Sequence, residues 1–567
     1  MVSRSLAMGA AGWLLTWSVA AFGGEGRVGV TADYEPIRCT VPNDAWEIEA
    51  ETRRIVVIGI DTAAAPIVEA LRQRLSANVA DELPAANLSV AFVPNARLAK
   101  PTGFPPTGDY YGQASDPAAA YLWRWIGMYG ADLVVVIERG EQTTWRLPKS
   151  AEAKPDGQNA APDWLANLAP EATGNLPNDH LAAALNREAA CEVGTVPAIS
   201  LTVGEGDTKE AVVNVAVRLL TSLAKEQLPP PSPARAELRR RLKRTPTEVA
   251  RQLSVHYGHD LNQVAYIPAL ALVGRLRLGE LDNDASHAAD VERIVQPYVT
   301  GQKPVRPKSG SELAGHLVFA ELAKRAEGEQ RGRLIELVRV AADQAFDEQG
   351  TPRDAMPFHN EMSDAVFMGG PILAAAGSLT EDSRFFEAAL GNTRFMRRLV
   401  LRPDGIYRHS PLDETAWGRG NGFPALGLAL MLSEWPEQAA GREELLTAFR
   451  EHMTALLAHQ DASGCWHQIV DREESYRELS CTCMISFAMQ RGVRRGWLDA
   501  ATFEPAIERA WRAIKLRTPE NGRLVDVCTG TGKQKDQAAY FNRTAILGRD
   551  ARGGAMALMV STELAGR

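Results

Sequence analysis

One acidic residue in an apolar setting is the first candidate for chemistry. Asp364 stands in the stretch HNEMSDAVFMGGPIL, close to Phe367, Met368 and Ile372. A carboxyl group on an apolar wall loses hydration, which raises its pKa and suits it to donate a proton near neutral pH. The same pattern also fits a carboxylate that caps a helix or pairs with an arginine. The residues alone therefore predict either a buried general acid or a structural carboxylate at Asp364.

A second cluster of polar and aromatic residues follows in the stretch GIYRHSPLDETAWGRGNGF, which contains His409, Trp417 and Arg419. Glycines alternate with larger residues over 418–422, so the backbone can turn tightly and present the tryptophan and the arginine together. Arginine offers a planar fork for a carboxylate, and tryptophan offers a flat face for a sugar ring. The stretch predicts a site for an anionic sugar, and the alternative is a structured turn packed by a core tryptophan.

These residues belong to an ordered set of motifs that resembles the unsaturated glucuronyl and rhamnogalacturonyl hydrolases, glycoside hydrolase families 88 and 105. The resemblance covers roughly Ala234 to Gly566. No single motif is specific, but the order of the whole set is. The matching stretches are Asp364-Ala-Val-Phe367-Met368, His409, Trp417-Gly-Arg419-Gly420, QDASGCWHQIVD over 460–471, SYRELS over 475–480, CTGTG over 528–532 and RDARGG over 549–554.

The resemblance implies a hydrolase that acts on the 4,5-unsaturated uronic acid left by polysaccharide lyases at a chain end. Such enzymes hydrate the vinyl ether and do not attack the glycosidic carbon, so one carboxyl group suffices, unlike the usual two-carboxylate scheme. Asp364 would be the catalytic acid and base, the partner would be an anionic oligosaccharide, and no metal or cofactor is implied. The residues expected to bind the substrate are His409, Trp417, Arg419, Phe423, His359 and Thr531.

Departures from the family pattern leave an alternative open. A second pocket aspartate is expected on an earlier helix, where this chain offers Ser311 and Glu312. The tryptophan expected just before the catalytic aspartate is replaced by Met362 and Ser363, and another is replaced by Phe423. The alternative is a noncatalytic, exported glycan-binding protein that keeps the fold. A further candidate is another chemistry, such as sugar epimerisation through a histidine pair.

The elements that must position these residues fall into two parts of a multidomain chain. In residues 27–226, four short β-branched runs read as buried strands alternating with helical patterns, which predicts an α/β domain with a mainly parallel sheet. Asp116 is expected to cap a helix that begins at Pro117. This part faintly resembles a zinc carboxypeptidase-like fold without the zinc ligands. The four runs are Arg54–Asp61, Leu88–Pro94, Asp132–Glu138 and Ala198–Val203.

A proline-rich linker over 227–233 separates this part from a region in which helix signals dominate. Residues 234–567 hold about twelve amphipathic segments, which suits six helical hairpins closed into an (α/α)6 toroid, with an open helical solenoid as the rival. One segment is expected to follow a capping box at Ser378–Glu381. A ring leaves the loops at one end free to build a pocket.

The composition of the chain bears on its binding partners, and its first residues bear on its cellular location. The 567 residues are 45% hydrophobic and 23% charged, with a net charge of −8, which argues against nonspecific nucleic-acid binding. Residues 1–23 resemble a cleaved signal peptide, so we expect an exported protein, periplasmic or extracellular, with no membrane span after cleavage. Outside the cytosol, Cys39 and Cys191 could form a disulfide, while the other four cysteines are expected in the core.

Overall fold

The computed structural model describes residues 24–77, 87–99, 103–106, 116–148, 162–169, 172, 175–225 and 228–566. Within these ranges an N-terminal region built around a sheet precedes a helical C-terminal part. The predicted signal peptide, residues 1–23, lies outside the described residues, as does the first residue of the predicted linker. No helix within the described ranges is both long enough and apolar enough to cross a membrane.

The N-terminal sheet has the strand order β1-β2-β4-β3-β5-β8-β6-β7 across the described residues. The four runs expected to be strands are its centre, β4-β3-β5-β8, and each neighbouring pair among them is parallel. Antiparallel pairs join β1 to β2, β2 to β4 and β6 to β8 at the edges. The strands are β1 Glu25–Val30, β2 Pro36–Thr40, β3 Arg53–Gly59, β4 Leu88–Val93, β5 Leu133–Gly140, β6 Thr144–Pro148, β7 Asn175–Leu176 and β8 Ala198–Gly204.

Helices pack around this sheet, and the predicted cap of one of them is confirmed. Asp116 accepts hydrogen bonds from the backbone N–H groups of Ala118 and Ala119, and Gly130 ends the helix with a left-handed φ of 65°. A carboxylate at this position satisfies donors that have no partner inside the helix. The helices are α1 Ala65–Ala77, α2 Pro117–Tyr129, α3 Asp163–Leu168, α4 Leu181–Arg187 and α5 Lys209–Lys225.

The C-terminal part is helical except for one short antiparallel pair, β9 Leu524–Cys528 with β10 Ala545–Gly548. Its helices are α6 Pro233–Leu242, α7 Pro246–Ser254, α8 Tyr266–Asp282, α9 Ala285–Val299, α10 Gly310–Gly315, α11 Leu317–Ala323, α12 Gly328–Ala342, α13 Ala365–Met368, α14 Gly370–Thr380, α15 Ser383–Val400, α16 Gly418–Glu434, α17 Arg442–Leu457, α18 Leu479–Arg494, α19 Ala500–Arg517, α20 Gln537–Phe541 and α21 Ala551–Ala565.

Helices α8, α11, α14, α16, α18 and α21 contact one another in a closed cycle, each touching the next and the last touching the first. Other helices pack against members of this cycle, among them α7, α9, α12, α15, α17 and α19. Helix α16 illustrates why the cycle helices lie inside, because fourteen of its seventeen residues, Gly418–Ala429 with Met431 and Leu432, are buried. A helix that is apolar nearly all round is stable only when neighbours cover every face.

Three of the cycle helices, α8, α18 and α21, meet toward their carboxyl ends, where charged side chains pair. Glu563 on α21 is 2% exposed and binds Arg491 on α18 at 2.6 and 2.5 Å. Arg277 on α8 reaches the same carboxylate at 3.5 Å. Cations near carboxyl ends interact favourably with the helix dipoles. The amino ends of the same helices therefore face the opposite end.

The expected capping box at Ser378–Glu381 is wrong. Ser378 and Thr380 belong to the end of α14, and Glu381 ends that helix with a left-handed φ of 58°. The next helix, α15, is capped by Asp382, whose carboxylate accepts a hydrogen bond from Arg384 N–H. The predicted box therefore ends one helix, and the cap of the next helix is Asp382, the residue directly after Glu381.

The expected disulfide between Cys39 and Cys191 is also wrong, because both are free thiols. Cys39 lies on β2, where its sulfur faces Gly26 of β1. The Cys191 thiol lies 3.6 Å from the carbonyl oxygen of Arg124 on α2. Burial raises the pKa of each thiol to about 12. The other four cysteines are buried, as expected.

Candidate active site

Asp364 lies at the start of α13, in the position of a cap, yet its side chain makes no capping hydrogen bond. The residue is only 6% exposed. Its Oδ1 lies 3.3 Å from Nε2 of His409, and neither atom has a hydrogen-bond partner among the described residues. The fold thus brings the two predicted residues together but gives these two facing atoms no hydrogen bond. A buried polar atom without a partner costs free energy, so such atoms call for a specific explanation.

The other ring nitrogen of His409 is held by a residue that the motifs did not single out. The Tyr540 hydroxyl lies 2.8 Å from His409 Nδ1, and the N–H of Gln534 donates to the same hydroxyl oxygen at 3.3 Å. Burial raises the pKa of Tyr540, so its hydroxyl stays protonated and can donate to Nδ1. With the Tyr540 hydroxyl as donor to Nδ1, the proton of a neutral His409 ring lies on Nε2, the nitrogen that faces Asp364.

Trp417 and Arg419 lie beside this pair, as the glycine-rich stretch predicts. The ring centroids of His409 and Trp417 are 4.5 Å apart, and the Arg419 guanidinium carbon lies 4.9 Å from the Trp417 ring. Trp417 is 1% exposed, and its Nε1 has no hydrogen-bond partner among the described residues. The four predicted residues therefore form one contact chain, Asp364–His409–Trp417–Arg419.

The terminal nitrogens of Arg419 donate hydrogen bonds to backbone carbonyl groups. Nη1 donates to the carbonyl of Cys528 and Nη2 to the carbonyl of Thr529, each at 2.7 Å. Nη1 also lies 3.2 Å from Ser480 Oγ, which donates to Glu478. Burial lowers the pKa of Arg419, but neighbouring groups, including Glu478, outweigh burial and hold that pKa above its ordinary value. The guanidinium is thus charged, and its Nε has no partner among the described residues.

Glu478 connects two elements of this wall. It caps α18 by accepting from the N–H groups of Ser480 and Cys481, and it also accepts from the Cys528 N–H at 2.9 Å. A carboxylate at a helix start also interacts favourably with the helix dipole. Its second contact ties the start of α18 to the end of β9.

Phe423 belongs to an aromatic cluster under the site. It stacks on Phe367 with centroids 5.5 Å apart, and Tyr266 at the start of α8 meets both rings edge-on at 5.6 and 5.8 Å. Phe423 is 1% exposed. Edge-to-face and offset pairs of this kind fix the orientation of neighbouring elements. The cluster joins the amino-terminal parts of α8, α13 and α16.

His359 lies on the loop before α13, in a left-handed conformation with φ of 54° that follows another at Phe358. Its Nδ1 is buried without a hydrogen-bond partner among the described residues. The ring occupies the space where a side chain on Gly310 would begin, since a Cβ there would lie 2.1 Å from Nδ1. Gly310, the first residue of α10, is thus required for this packing.

Thr531 lies on the loop after β9, and its hydroxyl is engaged within that loop. It donates to the Thr529 carbonyl at 3.0 Å and accepts from Arg543 Nε at 3.1 Å. Lys533 on the same loop pairs with Glu361, which lies three residues before Asp364. The loop after β9 and the loop before α13 are therefore linked by an exposed ion pair.

Unpartnered buried polar atoms gather around the contact chain, namely Asp364 Oδ1, His409 Nε2, Trp417 Nε1, Arg419 Nε and Ser363 Oγ. Together they offer a carboxyl oxygen, hydrogen-bond donors and a cation. The adjoining helices begin here, so their dipoles place partial positive charge at this end. The set suits an anionic, hydroxyl-rich ligand. No group of three or more potential metal ligands occurs in the part of the chain that the structure describes.

Sequence reasoning missed Tyr540 and Tyr266, because only the fold brings them to the site. Tyr540 follows the loop over 528–536 without a motif of its own. The region expected to hold a second aspartate contains Glu312, whose carboxylate accepts from Gln263 Nε2 and the Lys308 N–H. Those bonds give Glu312 a structural role at the start of α10.

Comparison with known proteins identifies the family. The model of Glycosyl Hydrolase Family 88 matches residues 240–567, more than half of the chain, so the chain belongs to this family. The resemblance of the C-terminal part is thereby confirmed, whereas the carboxypeptidase-like character of the N-terminal region stays a prediction. Nothing in the comparisons supports the noncatalytic alternative.

Individual relatives share limited sequence identity with this chain, over part of its length. An unsaturated 3S-rhamnoglycuronyl hydrolase of Formosa agariphila is 34% identical over 110 residues, which cover 19% of this chain and 29% of the relative. The unsaturated rhamnogalacturonyl hydrolase YesR of Bacillus subtilis is 26% identical over 186 residues, covering 31% and 52%. The chain thus spans about a third to a half of these relatives. A structure described as a possible GH105 member from Salmonella enterica has a TM-score of 0.49 at 18% identity, covering 57% of this chain and 95% of that one.

Proposed function

We propose that this protein hydrolyses oligosaccharides that carry a 4,5-unsaturated uronyl residue at the chain end. Family membership and the names of the two curated relatives support this substrate class. The observation that carries the proposal is the Asp364–His409 pair, buried and unpartnered beside Trp417 and Arg419. A buried acid next to donors that lack acceptors is suited to an anionic sugar.

The reaction is hydration of the vinyl ether. Asp364 gives its proton to C4 of the unsaturated ring, and C5 gains oxocarbenium character. Water then adds its oxygen to C5 and returns a proton to the Asp364 carboxylate. The resulting hemiketal opens by cleavage of the bond between C5 and the ring oxygen, and the hemiacetal at C1 releases the next sugar. One water is consumed, and Asp364 ends protonated as it began.

The neighbouring residues have distinct roles in this proposal. His409 directs its Nε2 proton toward Asp364 and the substrate, with its ring orientation fixed by Tyr540. Trp417 and Arg419 contribute Nε1 and Nε donors to the uronate, while Phe423 supports the site from below. His359 and Thr531, on the two loops at its edge, bind the sugar from the side. The converging helix dipoles favour the uronate carboxylate.

The proposed function includes an architecture and a location. We propose that the cycle of six helices is the inner ring of an (α/α)6 toroid, with residues 234–567 as one domain and residues 27–226 as an α/β domain of mainly parallel sheet, joined by the linker 227–233. We further propose that the protein is exported to the periplasm or beyond after removal of residues 1–23, where lyase products would reach it.

A panel of lyase-generated oligosaccharides tests the function. Products from pectin, ulvan and glycosaminoglycans are incubated with the full chain, and the ultraviolet absorbance of the conjugated double bond is followed. We expect that absorbance to fall with at least one product, with release of one sugar per event. The corresponding saturated oligosaccharides serve as the control and should stay intact. Cleavage of saturated substrates, or stable absorbance with every product, would refute the proposal.

A further inference from the structure

One segment lies between the candidate site and the N-terminal sheet region. It comprises β9, α20 and β10 with their connections, residues 524–548, and we call it the C-terminal hairpin. On one side it supplies the carbonyls of Cys528 and Thr529 to Arg419, and the Tyr540 hydroxyl to His409. Whatever fixes the hairpin therefore fixes the orientation of two residues of the contact chain.

The other side of the hairpin is held by the N-terminal region through a buried ion pair. Arg124 on α2 binds Asp526 on β9 at 2.7 Å, and their side chains are only 6% and 5% exposed. Removal of one partner from a buried pair of this kind leaves an uncompensated charge and is strongly destabilising. The pair joins residues 402 positions apart in the chain.

The backbone at Asp526 is strained. Its φ of 63° is left-handed, a conformation that residues other than glycine rarely adopt. The residue is also skipped in the pairing of β9 with β10, where Ile546 pairs with Val527 and Leu547 pairs with Val525. Asp526 is thus a bulged residue, and bulges re-aim a side chain. Such strain persists only where the surroundings over-determine it, and here the ion pair with Arg124 does so.

A second contact holds α20. Tyr34, at the turn between β1 and β2, accepts a hydrogen bond from Asn542 Nδ2 at 2.5 Å, and its ring lies 5.5 Å from that of Phe541. Both contacts are next to Tyr540, which holds His409. The N-terminal region therefore contacts the hairpin at two places. One is β9, whose end is hydrogen-bonded to Arg419, and the other is α20, which contains the Tyr540 that contacts His409.

We propose that the N-terminal sheet region is a positioning component of the active site, acting through Arg124 and Tyr34 on the C-terminal hairpin. Asp526, Arg124 and Tyr34 are positioning residues, since none of them belongs to the contact chain of Asp364. The kinetic part of this inference rests on the proposed function, whereas the structural coupling does not. A displacement of about 1 Å in a catalytic group costs up to about a hundredfold in rate, so a fixed hairpin matters for turnover.

The variants are chosen to cut each contact without burying a lone charge. The double variant Arg124→Met with Asp526→Gly removes both charges, and glycine adopts the left-handed bulge without strain. Arg124→Lys keeps a cation that can pair with Asp526 and leaves the bulged backbone unchanged. Tyr34→Ala cuts the second contact at a half-buried turn, where folding is not at stake. Asp33→Asn, an exposed change on the same turn, is the matched control.

Hydrogen exchange on the full chain gives the deciding readout. We expect both contact-cutting variants to lower amide protection about tenfold in the hairpin and also in residues 407–421, while Arg124→Lys and Asp33→Asn stay near wild type. Protection that falls in the hairpin alone, or in neither segment, would overturn the proposal. This result stands whether or not any oligosaccharide is hydrolysed, so failure of the proposed function is seen separately.

Kinetics on the unsaturated oligosaccharide give the second readout. We expect kcat to fall about tenfold in the double variant and in Tyr34→Ala, with KM changed by less than about threefold, since the substrate contacts themselves are kept. Arg124→Lys, which keeps the ion pair, should retain most of the wild-type kcat. Equal kcat values in wild type and in both contact-cutting variants would contradict a positioning role, as would a loss in Arg124→Lys as large as in the double variant.

Discussion

Asp364 Oδ1 and His409 Nε2 lie 3.3 Å apart in a buried setting, and neither makes a hydrogen bond within the described residues. Proteins rarely leave two such atoms unsatisfied side by side, because each loses hydration without compensation. In the proposed function, the unsaturated sugar supplies the missing partners of both atoms. The two unsatisfied atoms are the reason that we place the candidate site here.

Tyr540→Phe tests whether the orientation of His409 matters. The change removes the hydroxyl that is hydrogen-bonded to Nδ1 and leaves the ring in place. We expect kcat to fall about tenfold with little change in KM, because the proton on His409 is no longer assigned to Nε2. The measurement is the initial rate of absorbance loss with an unsaturated oligosaccharide.

Tyr407→Phe is the matched control for that experiment. The Tyr407 hydroxyl is buried, but it has no hydrogen-bond partner among the described residues. Its removal should leave kcat unchanged and should not lower stability, because no bond is lost. Equal effects of the two substitutions would show that Tyr540 acts only through packing.

The central strands could be predicted from sequence because each is a continuous β-branched run, which is typical of strands buried on both faces. The edge strands β1, β2, β6 and β7 were missed, since they are short and mixed in character. The helix at Pro117 was predicted through its cap, whereas the box at Ser378 was misread because its residues end one helix before the next begins. Local patterns identify an element more reliably than its boundary.

The candidate site was predictable only where its residues are close in sequence. Trp417 and Arg419 lie in one glycine-rich stretch, and Asp364 stands out by its apolar setting. Tyr540 could not be predicted, because it reaches His409 from 131 positions away. The commitment of Arg419 to two backbone carbonyls was also hidden, since no side-chain pattern reveals a carbonyl acceptor.

Glu563→Gln tests whether the two ends of the helical part are independent. Glu563 is buried and binds Arg491 at the end opposite Asp364, so its neutralisation leaves a buried cation without its partner. We expect the free energy of unfolding to fall by about 3 kcal/mol. The kcat of the folded protein should not change, because the site lies at the other end of the helices.

Glu444→Gln is the matched control for stability. Glu444 pairs with Arg394 between two outer helices, and both side chains are about half exposed. We expect a loss below about 1 kcal/mol, measured by urea unfolding in the same buffer. A similar loss in both variants would contradict the claim that burial makes the Glu563 cluster costly to break.

His316 and His452 should make stability depend on pH. Burial lowers the pKa of each to about 4 in the folded protein. An imidazole in the unfolded chain titrates near 6.5, so the unfolded state binds more protons between about pH 4 and 6.5. The stabilisation is fully present above about pH 6.5 and is lost as the pH falls toward 4, by about 3 kcal/mol for each histidine.

The comparison of wild type with His316→Asn checks this pH dependence. Urea unfolding is measured at intervals from pH 4.5 to 7. We expect the wild-type curve to fall steeply below pH 6.5 and the variant curve to fall less, since one titrating imidazole is gone. Parallel curves for the two proteins would show that His316 does not contribute.

The most direct test of the central claim is the rate of Asp364→Asn with an unsaturated oligosaccharide, followed by loss of double-bond absorbance. Asparagine has nearly the same shape but cannot donate a proton to C4, so we predict a rate at least about a thousandfold lower, with the fold retained. Asp354→Asn, an exposed carboxylate on the same connection, should keep the wild-type rate. A rate for Asp364→Asn equal to that of wild type would contradict the account.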